Sequence, residues 1–216
     1  MGFVCMPKLY LLGGENVFRR SAKEVNERAF LEADKPLRIL VSSWAKPSFD
    51  KKYVKRRLFV DYLVSLGASS VDFVDYSDST EIIEEKMAVA NVFYLTGGLP
   101  SVLIERLKKK NLDKLMRSFK GIIVGRSAGA LALCRKCVTT IRSSSRVRIV
   151  NGLDLAGIAL KVHYIPEKDD TVLLRFSLKD SIYAVPKDSA IVWNAGKLDV
   201  AGDCYVFEKN EKYKLN

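Results

Sequence analysis

The sequence predicts an α/β protein folded as a three-layer αβα sandwich, with a mostly parallel, doubly wound sheet and antiparallel strands at its C-terminal end. Three observations predict it. Short apolar runs alternate with helical stretches five times between Lys8 and Cys134, the rhythm of strand–helix units around a parallel sheet. Several of those runs end in glycines, as buried strands entering tight turns do. After Cys137 the alternation gives way to short strand-like segments separated by turns.

The elements follow in order. "KLYLLGG" (8–14) is a buried strand ending in paired glycines, and "SAKEVNERAFLEAD" (21–34) is a helix for which Ser21 and Glu24 form a capping box. "LRILVSS" (37–43) is a second buried strand. "DKKYVKRRLFVDYLVSLG" (50–67) is an amphipathic helix with Asp50 near its start and Gly67 at its stop. "SVDFVDY" (70–76) alternates as a strand, and "STEIIEEKMAVA" (79–90) is helical. "VFYLTGG" (92–98) repeats the pattern of strand and glycines. "PSVLIERLKKKNLDKLMRSF" (100–119) is one helix with proline in its first turn. "GIIVG" (121–125) is the fifth strand, and "SAGALALC" opens the next helix. "VTTIRSSSRVRIV" (138–150) is a hairpin or excursion, "GIALKVHY" a strand and "PEKDDTVLLRFSLKD" (166–180) a helix. "SIYAV", "AIVWN", "LDVAG" and "CYVFEKNEKYKL" are the closing antiparallel strands. No repeat or low-complexity linker interrupts the 216 residues, so one domain, 1–216, is expected.

Composition limits the function classes. With 48% hydrophobic residues the chain carries enough apolar surface for a packed core. No apolar run reaches the ~18 residues of a membrane span. The start, "MGFVCMPKLYLLGG", has no basic segment ahead of its apolar part and no small-residue cleavage site, and Met6 breaks the myristoylation pattern. A cytoplasmic protein without a membrane partner is expected. The net charge of +11 reads as a solvated Lys-rich surface or as a field that steers acidic ligands or nucleic acid. The basic runs are not interleaved with exposed aromatics, which favours the first and argues against nucleic acid. Cys134 and Cys137 form a CxxC, but zinc needs two further ligands. Buried thiols, no metal and no cofactor are expected.

The segment "GRSAG" (125–129) fits the G-x-S-x-G turn that lifts a serine between strand and helix. Ser127 is there either a nucleophile or the cap of a buried helix. A serine nucleophile needs a base and donors for the oxyanion. His163, at the end of an apolar strand, is the sequence's one histidine, and the carboxyl ends of the strands are where such a sheet builds its site. The glycine-paired loops "GGEN" (13–16) and "TGG" (96–98) end two more strands, and glycine pairs let backbone N–H groups face a ligand.

The motifs "LLGG" (11–14), "YLTGG" (94–98), "GIIVGRSAGALALC" (121–134), "GLDLAGIALKVHY" (152–164) and "AVPKDSAIVWNAGKLDVAGDCYVF" (184–207) together resemble peptidase family S51, which includes dipeptidase E and cyanophycinase and has the class I glutamine amidotransferase-like fold. They run in family order over nearly the whole chain. The resemblance implies a serine peptidase of dipeptidase or exopeptidase type, acting on a small peptide or related amide, and a homodimer. It implies Ser127 as nucleophile, His163 as base, and an oxyanion hole from the N–H of Ala128 with that of Gly97 or Gly98.

The acid departs from the family pattern, because the matching positions hold Lys187 and Arg142. Asp188 is the substitute one residue along. Asp169, Asp170 and Glu167 follow His163, and Glu15 stands beside the first glycine pair. Arg126 is a second departure, fit to bind a substrate carboxylate bidentately or to pair with a neighbouring carboxylate, and Glu15 joins it as a candidate for substrate binding. The alternative is a catalytically impaired S51-like protein that binds an acidic ligand or nucleic acid. A glutamine amidotransferase is excluded, since that chemistry uses a cysteine at the elbow and a His-x-Glu, where this chain has Ser127 and Ile165.

Overall fold

The computed structural model describes residues 6–46, 55–140 and 147–215. Strand β1 (Lys8–Leu12) passes through a 3-10 turn (Val17–Arg19) to α1 (Lys23–Leu31). There follow β2 (Arg38–Ser42), α2 (Lys55–Ser65), β3 (Ser70–Val74), α3 (Thr80–Val89), β4 (Val92–Leu95), α4 (Pro100–Lys109), α5 (Leu112–Ser118), β5 (Ile122–Arg126) and α6 (Ala128–Leu133). The remainder is β6 (Cys134–Thr140), β7 (Val147–Asn151), β8 (Ala156–Val162), α7 (Pro166–Ser177), β9 (Ile182–Val185), β10 (Ala190–Asn194), β11 (Lys197–Ala201), β12 (Cys204–Glu208) and β13 (Glu211–Leu215). Asp50, Arg142 and Cys5 lie outside the described residues. Among the described residues, no helix is long and apolar enough to cross a membrane.

The strands form two sheets. The first runs β11-β10-β1-β5-β4-β2-β3, parallel from β1 to β3, with β10 and β11 added antiparallel. The second runs β13-β12-β9-β8-β6-β7, with β6, β8 and β9 parallel and both edges antiparallel. The sequence predicts C-terminal strands that close one sheet, and the structure instead divides them between two, with β9 parallel to β8. β10 and β11 complete the first sheet, and β9, β12 and β13 belong to the second. Short strands of similar composition carry no mark of which partner they pair with, because pairing is set by distant neighbours.

Three apolar cores organise the layers. One face of the first sheet packs Tyr10, Val41 and Tyr94 against Phe30 of α1 and Leu63 of α2. Its other face shares a core with the second sheet, where Leu11, Phe93 and Ile123 meet Leu103, Met116, Leu160 and Val185. Helix α6, with all six residues buried, lies in that core. Leu173 of α7 packs on the far side of the second sheet with Phe207 and Ala184.

Two local expectations fail for identifiable reasons. The segment 100–119 is two helices, because Asn111 takes a left-handed φ of 55° between α4 and α5, a conformation asparagine tolerates better than most residues. The Ser21–Glu24 capping box does not form. α1 starts after Ala22 with no side-chain cap, while the Ser21 hydroxyl accepts the Asn16 N–H at 2.9 Å and donates to the Asp188 carboxylate. A long-range contact outcompetes the local one. Ser79, by contrast, caps α3 through the Ile82 N–H, and Gly67, at φ +95°, ends the turn after α2.

Candidate active site

The end of β1 fixes the site. The backbone carbonyls of Leu12, Gly13 and Gly14 accept, in turn, the N–H groups of Ser127, His163 and Asp188, each at 2.9 Å. All three donor residues have left-handed φ values, of 54°, 53° and 65°. Non-glycine residues hold that region only where surrounding structure over-determines it. One turn thus fastens the strand-to-helix elbow after β5, the end of β8 and the loop before β10.

The elbow is strained and tightly packed. Ser127, at φ 54° and ψ −106°, precedes α6 but makes no side-chain cap bond to it. The capping alternative therefore does not hold. Instead its Oγ lies 2.7 Å from Nε2 of His163. Gly125 and Gly129 let the turn close: a Cβ on the first would stand 2.7 Å from the Gly129 carbonyl carbon, and one on the second 2.4 Å from the Leu95 oxygen. The imidazole rests on Gly14, where a Cβ would lie 2.2 Å from ring Cε1 and 2.4 Å from Nδ1. The 96–98 loop adjoins the serine: a Cβ on Gly97 would sit 3.4 Å from the Ser127 Cβ. The N–H of Ala128, first in α6, has no acceptor within its helix by position.

The candidate carboxylates are distributed differently. Asp188 is exposed and accepts from Ser21. Asp169 is buried and binds the Ile165 N–H at 2.9 Å and Lys161 at 3.3 Å. Asp170 takes the Tyr164 hydroxyl and pairs with Lys212 at 2.9 Å. Glu167 is exposed in the first turn of α7. Glu15, expected to face substrate, has a fully buried side chain. Its Oε1 accepts from Tyr62 at 2.6 Å and Asn26 at 3.2 Å, and its Oε2 from Tyr94 at 3.3 Å. Arg126 completes the shell at 3.5 Å from Oε2. A buried carboxylate persists only when paired and hydrogen-bonded, and here that requirement binds Glu15 to its neighbours. Burial and the nearby Glu15 charge push both Tyr62 and Tyr94 hydroxyls well above the usual tyrosine range, so both remain donors.

Arg126 reaches from this buried hub to a cleft of about 320 Å³, its side chain 14% exposed and over the Phe59 ring at 5.4 Å. Lys46, Arg56 and Lys187 line the same cleft. Arg56 pairs with Asp75 at 2.6 Å and lies on Phe73. Thr96 escapes sequence reasoning. It lines the cleft, and its buried hydroxyl has no hydrogen-bond partner among the described residues. The available signal was a polar residue breaking the apolar run before Gly97. Elsewhere, Cys134 and Cys137 are buried thiols donating to the Ala130 and Leu131 carbonyls. Burial raises both above the usual thiol range, Cys137 to about 12.

The architecture is shared with solved proteins. A peptidase from an acI-B1 Actinobacterium matches with a TM-score of 0.71 and 18% identity, over 98% of this chain and 94% of that one. A candidate peptidase E protein from Listeria monocytogenes EGD-e matches with a TM-score of 0.66 and 20% identity, over 91% and 98%. At such identities the likeness concerns the fold: mixed α/β, class I glutamine amidotransferase-like. No curated protein matches the sequence significantly. The family model of peptidase family S51 matches residues 45–200, well over half of the sequence and including both Ser127 and His163, and the chain belongs to that family.

Proposed function

We propose that this chain is a serine peptidase that cleaves a small peptide or related amide through an acyl-enzyme on Ser127. The observation that carries the reading is the 2.7 Å contact between Ser127 Oγ and His163 Nε2 on a strained elbow. His163 takes the hydroxyl proton as Oγ attacks the amide carbon. The N–H groups of Ala128 and of Gly97 or Gly98 receive the oxyanion. His163 then protonates the leaving amine, and water, activated by the same imidazole, releases the acid product. Asp188, the candidate acid of the sequence, shares the anchoring turn through its backbone N–H, while its carboxylate accepts from Ser21. A fluorophosphonate probe tests this. Labelling is expected for the wild type and absent for Ser127→Ala. A folded wild type that stays unlabelled between about pH 6 and 9 would sink the proposal.

Substrate choice in this reading lies with Arg126. Glu15, itself held by the hydroxyls of Tyr62 and Tyr94, pairs with its guanidinium, and Thr96 lines the same cleft. Arg126→Gln keeps a donor for Glu15 and removes the charge. It should lower kcat/KM for a carboxylate-bearing dipeptide by about 10- to 100-fold, the worth of a hydrogen bond to a charged group. A neutral dipeptide amide should be affected far less. Equal losses on both substrates would remove Arg126 from substrate recognition.

The four cations on one cleft also favour a second reading, retention of an acidic ligand without turnover. It predicts no probe labelling together with saturable binding of an acidic peptide. Salt-dependent binding of nucleic acid instead would assign the same charge to a different partner.

A further inference from the structure

One buried ion pair holds the backbone on both sides of His163. Lys161 and Asp169 are 4% and 2% exposed, with Nζ 3.3 Å from Oδ2. Lys161 also donates to the carbonyl of Val162 at 2.8 Å, the residue before the histidine. Asp169 accepts the N–H of Ile165 at 2.9 Å, two residues after it, and returns its own N–H to the Ile165 carbonyl at 3.0 Å. The entry to and exit from the His163 turn therefore end on a single pair that bridges β8 and α7. Between them His163 carries a left-handed φ of 53°.

An ion pair in this position is a poor choice for stability alone. Burial pulls Lys161 below the usual lysine range, with Asp169 opposing that shift. Replacing such a pair with apolar residues of similar volume is often neutral or stabilising. What the charges supply and apolar groups cannot is direction: Nζ fixes a carbonyl, and the carboxylate fixes an N–H.

We infer that Lys161 and Asp169 are positioning residues that clamp the 162–165 turn so that the His163 imidazole meets Ser127. This rests on reading Ser127 and His163 as nucleophile and base. Neither residue touches the reacting atoms. Asp169 thereby acts on the backbone around the base, a role its place in the sequence left undefined.

The test is the double variant Lys161→Met/Asp169→Leu, read by melting temperature, by fluorophosphonate labelling rate and by the imidazole NMR signals of the chain's one histidine. The expected result is a fold that melts at or above the wild-type temperature, with labelling at least about tenfold slower, since small misplacements of a reacting group are costly. The imidazole resonances should shift and broaden. Leu173→Ala, which thins the core under α7 and leaves both side chains of the ion pair in place, should melt lower yet label within about twofold of the wild-type rate. Labelling within twofold of wild type, with imidazole signals unchanged, overturns the inference. If the wild type does not label at all, the nucleophile reading fails by itself, and the imidazole signals decide the clamp: unchanged in the double variant, it is wrong; broadened, it stands. Should the double variant not fold, Asp169→Asn, which keeps an acceptor for Ile165 and removes the counter-charge of Lys161, is read by labelling rate and imidazole signals alone, with a lower melting temperature expected.

Discussion

His163→Gln is expected to lower peptide hydrolysis by about three orders of magnitude or more while leaving the fold intact. A neutral serine hydroxyl is a weak nucleophile, and its activation by an adjacent base is worth most of the catalysis in a triad-like site. No second imidazole exists in the chain to take over. Of the carboxylates that follow His163, Asp169 is committed to Lys161 and Ile165 and Asp170 to Lys212 and Tyr164, while Glu167 is exposed on α7. The residual rate should come from the oxyanion donors and from substrate binding, which survive removal of the base. Steady-state kinetics at a fixed pH, beside a circular dichroism melt, measures both halves of the statement. A variant retaining a tenth of wild-type kcat/KM would mean that another group activates Ser127. Glutamine preserves roughly the volume of the ring, so the elbow should keep its packing.

The second large effect belongs to a residue with no side chain. Gly14→Ala would place a methyl 2.2 Å from Cε1 and 2.4 Å from Nδ1 of His163, closer than non-bonded atoms approach. The ring is the movable partner, so it must leave its place over Gly14 and with it the 2.7 Å contact to Ser127. A displacement near 1 Å of a catalytic group costs on the order of 100-fold in rate. Stability should fall by only about 1 kcal/mol, the scale of an alanine at a backbone conformation suited to glycine. Gly13→Ala provides the contrast. Its methyl would meet backbone oxygens, that of Pro186 at 1.9 Å and that of Val185 at 2.4 Å, and a main-chain collision has no cheap escape. That variant should lose the fold. Labelling rates and melts on the two proteins should separate cleanly: activity lost with structure kept at position 14, structure lost at position 13. A Gly14→Ala protein that hydrolyses at the wild-type rate would show that the imidazole works from another position.

The strand–helix alternation up to Cys134 was legible because each strand of a parallel sheet advertises itself as a short apolar run. The elbow and the histidine were legible for a different reason. Ser127 sits in a pattern with steric requirements, met by Gly125 and Gly129, and the single imidazole of the sequence is the one the fold brings to its hydroxyl. What stayed hidden depends on contacts between distant segments. The division into two sheets turns on whether β10 pairs with β1 and β12 with β9, and composition does not encode that choice. Ser21 has the right neighbours for a capping box but is drawn to Asn16 and Asp188. Glu15 looked available beside a glycine pair. Only the assembled fold brings Tyr62 from α2 and Tyr94 from β4 onto its carboxylate. The same holds for Lys161 and Asp169, which are eight residues apart in sequence and meet because α7 folds back across the end of β8.

The three successive carbonyls at the end of β1 tie together parts of the chain that belong to different sheets. Ser127 comes from the first, His163 from the second, and Asp188 from the crossover between them. Neither sheet alone holds both Ser127 and His163. The consequence concerns the timing of activity. A chain on which only one sheet has formed, whether newly synthesised or partly opened by heat, carries Ser127 without His163 beside it. Loosening of the second sheet should silence the protein while the first still holds its secondary structure, making inactivation an earlier event than unfolding.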